Sequence, residues 1–130
     1  MVAVGDEIPE LVIDPVDTEK MKTMAALLQD PNPIHWDVEV VKKLGMGDKA
    51  VNQGPNNWAY IGSMLAAWAG GDDKVRNMKV RFLDNVFAGD RVVAGGKVTA
   101  VEGDLVTCDV WLARDGDHPV VAGTAVVQMT

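Results

Sequence analysis

The chain has 130 residues, of which 48% are hydrophobic and 24% charged, and its formal net charge is -7 at pH 7. Such a length fits one folded unit with a substantial core, so we expect a single domain over residues 1–130. The acidic balance argues against a nucleic-acid partner, because nucleic-acid phosphates favour a basic surface. The sequence has neither an apolar run near the roughly 18 residues of a membrane span nor the start of a signal peptide, and this predicts a cytoplasmic protein without a membrane partner.

Cysteine and histidine are scarce. Cys108 is the one cysteine, so no intramolecular disulfide can form, and His35 and His118 are the only histidines. They do not make a cluster at the spacing of zinc ligands, and we therefore expect no metal site. We interpret Cys108 as a small buried residue in a strand, and His118 as a solvated residue in a turn.

Short elements are predicted in the first third of the chain. A strand is expected around residues 11–13, and prolines at both of its ends favour an edge position in a sheet. Apolar residues recur at helical spacing over residues 19–29, which predicts a helix that ends at Pro31. Asp37 can cap a second, short helix that extends to Leu44.

The strongest helical signal covers residues 56–69, directly after Gly54 and Pro55. Large apolar residues recur there at helical spacing, with small residues between them, so we expect a helix that is mostly buried. The large residues of this stripe are Trp58, Ile61, Leu65 and Trp68.

From Lys74 onward the apolar period changes to that of a strand. Strands are predicted at residues 78–82, 91–101, 105–114 and 120–129, each bounded by Gly or Asp turns. We expect an α+β domain in which an antiparallel sheet, built as a four-stranded meander plus the first strand, curls around the long central helix. Its open edge and remaining apolar surface favour pairing with a second copy, so at least a dimer is expected.

Residues 29–35, with the sequence Gln-Asp-Pro-Asn-Pro-Ile-His, are the best candidate for chemistry. Each proline fixes its own φ and moves the residue before it out of the helical region, so this segment is extended and stiff. Asp30 and His35 then have fixed directions, and little entropy is lost in holding both near one substrate atom. The alternative is a helix stop followed by a helix start, in which Asp30 and Asn32 bond the local backbone.

Over nearly its full length the chain resembles the MaoC-like, single hotdog-fold dehydratases of the (R)-specific enoyl-CoA hydratase type. The specific part of this resemblance is Asp30-Pro31-Asn32-Pro33-Ile34-His35 followed by Trp36-Asp37. Similar segments occur in the same order at residues 4–9, 53–54, 80–82, 88–90 and 122–127. The chain departs from the family's pattern at Leu28-Gln29, where Ser-Gly or Thr-Gly is frequent, and at Asn85, where proline is common; these departures concern substrate range more than reaction type.

The resemblance implies reversible addition of water across the double bond of a 2-enoyl thioester. It makes Asp30 and His35 the acid–base pair that holds the water and moves its protons, and Asn32 can orient them. Taken alone, Gly54 is an ordinary cap glycine; opposite this pair we interpret its backbone N–H as the oxyanion hole. No cofactor is implied beyond the coenzyme A or acyl carrier protein that belongs to the substrate.

Weaker candidates for substrate binding are Gln53, Trp58, Lys79 and Arg81. The two cations could join Lys97 and Arg114 in a patch that meets the phosphates of coenzyme A, against the acidic charge of the whole chain. Each candidate also has a structural interpretation, which is core packing for the tryptophan and a solvated strand face for the cations.

Other functions of a hotdog protein would require different residues. A hotdog thioesterase would use an acid on the central helix, and residues 55–70 contain none. The chain could instead be one subunit of a heteromeric dehydratase that acts on acyl carrier protein-bound or bulky, steroid-like CoA thioesters, or a non-catalytic acyl-CoA-binding partner. The sequence leaves open the acyl group, the carrier, the direction of reaction, homodimer or heteromer, and which of Asp30 and His35 is the base.

Overall fold

The structure, a computed structural model, describes residues 2–17, 34, 37–52, 54–114 and 118–129. Two helices and five strands lie in these ranges. They are β1 (Glu7–Ile13), α1 (Val38–Lys43), α2 (Gly54–Ala69), β2 (Val75–Phe82), β3 (Val92–Glu102), β4 (Leu105–Arg114) and β5 (His118–Gln128). The helix predicted over residues 19–29 lies outside the described residues.

The five strands form one antiparallel sheet in the order β1-β3-β4-β5-β2. β1 lies at an edge, as its prolines predicted, and it is longer than expected. It begins at Glu7 and so includes Pro9, which has no N–H to donate. Pro9 lies between Ile8 and Leu11, where the register with β3 shifts, so the strand can contain it. The missing donor therefore does not interrupt the ladder.

The predicted four-stranded meander is wrong for one strand. β3, β4 and β5 follow one another through hairpins, whereas β2 pairs with β5 and not with β3. Gly123 of β5 makes this pairing close, because a Cβ there would overlap the carbonyl oxygen of Lys79. Turn residues indicate where strands end, but not which edge the next strand joins, so the sequence could not reveal this order.

α2 packs one side on the sheet. Ile61, Met64 and Leu65 are fully or almost fully buried against residues from all five strands. The expectation of a mostly buried helix is wrong for the opposite side, where the side chain of Trp58 is 44% exposed. A single sheet can cover only one side of a helix, and the other side is left open in the isolated chain.

The short helix α1 begins as predicted. The Asp37 side chain accepts a hydrogen bond of 3.0 Å from the backbone N–H of Glu39, which satisfies one of the free donors of the first turn. Lys42 and Lys43 occupy the last turn, where positive charge is favourable. In the described part of the chain, no helix has the length and apolar character needed to cross a membrane.

Candidate active site

The structure reaches the predicted catalytic motif through one residue, Ile34. Four of the predicted site residues lie outside the described part of the chain: Asp30, Asn32, His35 and Gln53. The carbonyl oxygen of Ile34 accepts a hydrogen bond of 2.8 Å from the N–H of Val51. Ile34 therefore contacts the segment that leads into α2, which begins three residues after Val51.

Residues 50–52, here called the entry segment, form a short buried strand-like stretch. Val51 makes a β-bridge to Phe87. On either side of this bridge, Ala88 N–H donates to Ala50 O at 2.8 Å and Asn52 N–H donates to Val86 O at 2.6 Å. The entry segment is thus fixed between Ile34 on one side and residues 86–88 on the other.

Gly54 is the first residue of α2 and is half-buried. A Cβ at this position would lie 3.4 Å from two carbon atoms of the Phe82 ring, so glycine keeps the space between the helix head and that ring open. The first turn of α2 contains no acidic side chain that would compensate the positive end of the helix dipole. The predicted role of Gly54 as a backbone donor to a negatively charged oxygen stays a prediction.

A cavity of about 460 Å³ opens beside Gly54 and is lined by Pro55, Trp58 and Phe82. These three residues are here called the aromatic shelf. Phe82 is 54% exposed and Trp58 44%, which is unusual for side chains of this size. The structure therefore places Trp58, a predicted substrate-binding residue, next to the helix head and not in the core, and the shelf offers an apolar surface to a ligand.

Lys79 and Arg81 lie on the face of the sheet opposite to the one that carries α2. They alternate along β2 with Met78 and Val80, which pack on the core beneath α2. Because successive side chains of a strand point to opposite faces, both cations point away from the face that carries α2 and Gly54. The structure does not bring them to the helix head, and their predicted contact with substrate phosphates stays a prediction.

The four cations that were expected to form one patch are divided. Arg114 donates to Asp84 Oδ2 at 2.7 Å and to the carbonyl oxygen of Asn85 at 2.5 Å, and its guanidinium lies 5.8 Å from the centre of the Phe87 ring. It ties the end of β4 to the β2–β3 connection. Arg114 is thus committed to a structural contact and does not join Lys79 on the outer face.

His118 is the first residue of β5 and not part of a turn. Its Nε2 lies 2.8 Å from Asp84 Oδ2, the oxygen that Arg114 also contacts. The hydrogen bond with His118, the backbone N–H of Asn85 and the charge of Arg114 lower the pKa of Asp84. This cluster is a surface clamp between β5 and the β2–β3 connection.

Cys108 is fully buried, as predicted. Burial raises the pKa of its thiol to about 11, and the charge of Asp109 acts in the same direction. A thiol with such a pKa is protonated at neutral pH and is a poor nucleophile.

Sequence reasoning missed a buried polar cluster at the head of α2, formed by Asn52, Asn56, Asn57 and Tyr60. Asn52 Nδ2 donates to Asn57 Oδ1 at 2.7 Å and to the Tyr60 hydroxyl at 3.4 Å, while Asn56 Nδ2 donates to Asn52 Oδ1 at 3.0 Å. Burial raises the pKa of Tyr60, the hydrogen bond from Asn52 opposes this, and the charge of Asp17 raises it further. The sequence indicates this cluster only by three asparagines close to Gly54-Pro55, and the helical spacing of apolar residues gives no information about them.

A five-stranded antiparallel sheet with one long helix on a face defines the hotdog class, and solved structures share this fold. The (R)-hydratase from A. caviae involved in PHA biosynthesis has a TM-score of 0.87 at 23% identity, over 99% of this chain and 98% of that chain. The ChsH1-ChsH2 complex from Mycobacterium tuberculosis gives 0.85 at 23% identity, over 100% of both chains. The C-terminally truncated HadBC (3R-hydroxyacyl-ACP dehydratase) complex from the same organism gives 0.76 at 17% identity, over 96% of both chains. At these identities the likeness establishes the fold alone.

The family follows from the sequence itself. Residues 3–107 match the MaoC like domain family, which is most of the chain. The chain belongs to the MaoC-like dehydratase family, as the motif at residues 30–35 implied. No curated protein matches the sequence.

Proposed function

We propose that this protein catalyses reversible addition of water to a 2-enoyl thioester, as an (R)-specific enoyl-CoA hydratase or 3-hydroxyacyl-thioester dehydratase. The observation that carries the proposal is the hydrogen bond from Val51 N–H to Ile34 O, because it joins the motif to the segment that enters α2. His35 follows Ile34 directly, and Gly54 begins the helix. This contact supports a site in which the acid–base residues of the motif act beside the Gly54 N–H.

The chemistry divides between side chains and backbone. In hydration, the water oxygen attacks the β-carbon of the substrate while one of Asp30 and His35 accepts its proton, and a proton is delivered to the α-carbon. Negative charge develops on the thioester oxygen between these events, and the Gly54 N–H at the positive end of α2 would stabilise it. Asn32 would orient the pair without adding charge, and no metal or cofactor enters any step.

The aromatic shelf is suited to binding an apolar acyl group. Pro55, Trp58 and Phe82 surround the cavity beside Gly54, and they supply contact area without groups that need hydrogen bonds. Coenzyme A or an acyl carrier protein would be the carrier part of the substrate. Gln53, Lys79 and Arg81 stay weaker candidates for contact with that carrier, and a cytoplasmic location stays a prediction.

The first experiment compares the purified chain with two single variants on a short 2-enoyl-CoA. We expect Asp30→Asn and His35→Ala each to lower kcat by about 10²- to 10⁴-fold, the usual contribution of general acid–base catalysis, with the fold unchanged by circular dichroism. Asp48→Asn and His118→Ala are matched controls that remove the same groups elsewhere on the surface. Turnover near the wild-type rate in either motif variant would rule out the assigned roles.

A second candidate function is a subunit of a heteromeric dehydratase. The observation that favours it is the exposed side of α2, including Trp58, together with the position of β2 at the edge of the sheet that the described residues form. Two of the similar structures are complexes of two different chains by name, ChsH1-ChsH2 and HadBC. Activity that is absent for the chain alone and restored by a second hotdog chain would establish this function in place of the homomeric one.

A further inference from the structure

The buried polar cluster at the head of α2 points to a positioning residue. We propose that Asn52 fixes the Gly54 N–H relative to the segment that carries His35, by holding the first turns of α2 against the entry segment. Its importance for catalysis rests on the function proposed above. Asn52 belongs neither to the motif at residues 30–35 nor to the apolar stripe of α2.

The side chain of Asn52 contacts both of the first two turns of α2. Its Oδ1 accepts from Asn56 Nδ2 at 3.0 Å, and its Nδ2 donates to Asn57 Oδ1 at 2.7 Å. A longer contact of 3.4 Å joins the same Nδ2 to the hydroxyl of Tyr60, one turn further along. These bonds close a small loop of chain, and the peptide that carries the Gly54 N–H lies inside that loop.

The backbone of the entry segment is held separately. The N–H of Asn52 donates to Val86 O at 2.6 Å, and the N–H of Val51 donates to Ile34 O at 2.8 Å. Asn52 is thus fixed to the rest of the fold by its main chain and to the helix by its side chain. Only Gln53 separates it from Gly54. A shift of the Asn52 side chain would therefore move the helix head relative to Ile34, the residue that precedes His35 in the sequence.

Stability alone does not explain three asparagines here. Asn52, Asn56 and Asn57 are 4%, 8% and 3% exposed, and asparagine is a weak helix former. A buried amide is tolerated only when it is hydrogen-bonded, and a leucine of similar size would give more burial at each position. What a fully bonded polar cluster adds is a single defined arrangement of the groups that it joins. That property is the one a site built from two chain segments requires.

The kinetic test replaces the amides by a residue of similar size that cannot hydrogen-bond. Asn52→Leu and Asn57→Leu should each lower kcat by about 10²-fold, the loss expected for a misplacement near 1 Å, while KM changes little. Tyr60→Phe should have a smaller effect because its contact is long. Asn77→Leu makes the same change at an exposed position of β2 and should leave kcat unchanged.

Two further results separate positioning from simple support of the fold. The double variant Asn52→Leu/Asn57→Leu should lower kcat no further than either single variant, because both changes break one link. All rates are measured well below the unfolding midpoint of each variant. Variants that unfold at lower temperature but keep the wild-type kcat and KM would show a purely structural cluster and overturn the proposal.

Hydrogen exchange tests the same link without using activity. In Asn52→Leu the amides of the first two turns of α2 should exchange faster than in the wild type, while those of its last turn, residues 66–69, should be unchanged. Equal exchange rates in the first turns would overturn the proposal. If the wild-type chain hydrates no enoyl thioester, the proposed function fails, and this measurement still decides whether Asn52 holds the helix head.

Discussion

Gly54 joins two requirements at one residue. It begins α2, where backbone N–H groups lack partners in the helix, and it stands opposite the Phe82 ring at a distance that leaves room for no more than a methyl group. Its φ is not in the left-handed region, so the backbone itself would accept alanine. Backbone strain therefore does not require glycine at this position, and the proposed oxyanion role would require it for access to the N–H.

Two glycine-to-alanine variants in α2 separate access from helix stability. Gly54→Ala should lower kcat/KM for hydration at least 10-fold, roughly 1.4 kcal/mol, because the new methyl group stands between the N–H and the thioester. Gly62→Ala, in the same helix with no neighbour within 4 Å of its added Cβ, should leave kcat/KM unchanged. It should also raise the unfolding free energy by about 0.5–1 kcal/mol in chemical denaturation. Equal kcat/KM for the two variants would remove Gly54 from the oxyanion hole.

Cys108 gives the folded chain a pH dependence above neutrality. Its pKa is raised to about 11 in the fold, so the thiol ionises in the unfolded chain first, and the unfolded state binds fewer protons above pH 9. The stability contributed by the protonated thiol is full below the unfolded pKa and is lost as pH rises through the folded value. We expect the unfolding free energy to fall by up to about 1.4 kcal/mol per pH unit between pH 9 and 11.

Cys108→Ala is the control for that pH dependence. It should lower the unfolding free energy at every pH, because a buried side chain becomes smaller, and it should remove the additional slope above pH 9. Denaturation in urea at pH 8, 9 and 10 measures both effects. The same slope in both proteins would contradict a buried, protonated thiol.

At the scale of elements, the aromatic shelf connects α2 to β2. Pro55 and Trp58 come from the first two turns of the helix, and Phe82 is the last residue of the strand. Phe82 lies on the face of the sheet that carries α2, whereas Lys79 and Arg81 lie on the opposite face of the sheet. An acyl group bound at the shelf would therefore meet α2 and Phe82, without contact to these cations.

Shortening Phe82 tests the shelf. Phe82→Ala should raise KM for enoyl-CoA substrates with long acyl chains by about 30-fold, which corresponds to the roughly 2 kcal/mol that a large apolar contact contributes, and should change KM for a four-carbon substrate much less. Leu83→Ala removes an equally exposed neighbour outside the shelf and is the control. A uniform rise in KM for all chain lengths would show that Phe82 binds something other than the acyl group.

Local sequence patterns predicted the helices and strands, but they did not predict contacts between residues that are distant in the sequence. Helical spacing identified α2, the Asp37 cap identified α1, and the turn at Gly103-Asp104 identified the β3–β4 hairpin, because each depends on neighbours in sequence. The pairing of β2 with β5 and the bonds of Asn52 depend on which segments meet after folding. The aromatic shelf could not be predicted for the same reason. Trp58 belongs to an apolar stripe in the sequence, and only the fold shows that its side chain is exposed.

At the scale of the whole molecule, the chain presents an incomplete surface. One side of α2 is exposed, and Trp58 and Phe82 are exposed near the helix head. Among the residues that the structure describes, β1 and β2 each have a strand neighbour on one side only. Free edges and apolar patches of this kind mark surfaces that pair with another chain. These features fit the expectation of at least a dimer. Whether the partner is a second copy or a different hotdog chain is decided by the activity test described above.

The stereochemistry of hydration is the most direct test of the proposed (R)-specific hydratase activity. The purified chain is incubated with a short 2-enoyl-CoA, the 3-hydroxyacyl-CoA product is resolved by chirality, and the assay is repeated with Asp30→Asn and His35→Ala. We expect the (R) product from the wild-type chain, and a kcat that is lower by about 10²-fold or more in both variants. Formation of the (S) product, or full activity in either variant, would contradict it.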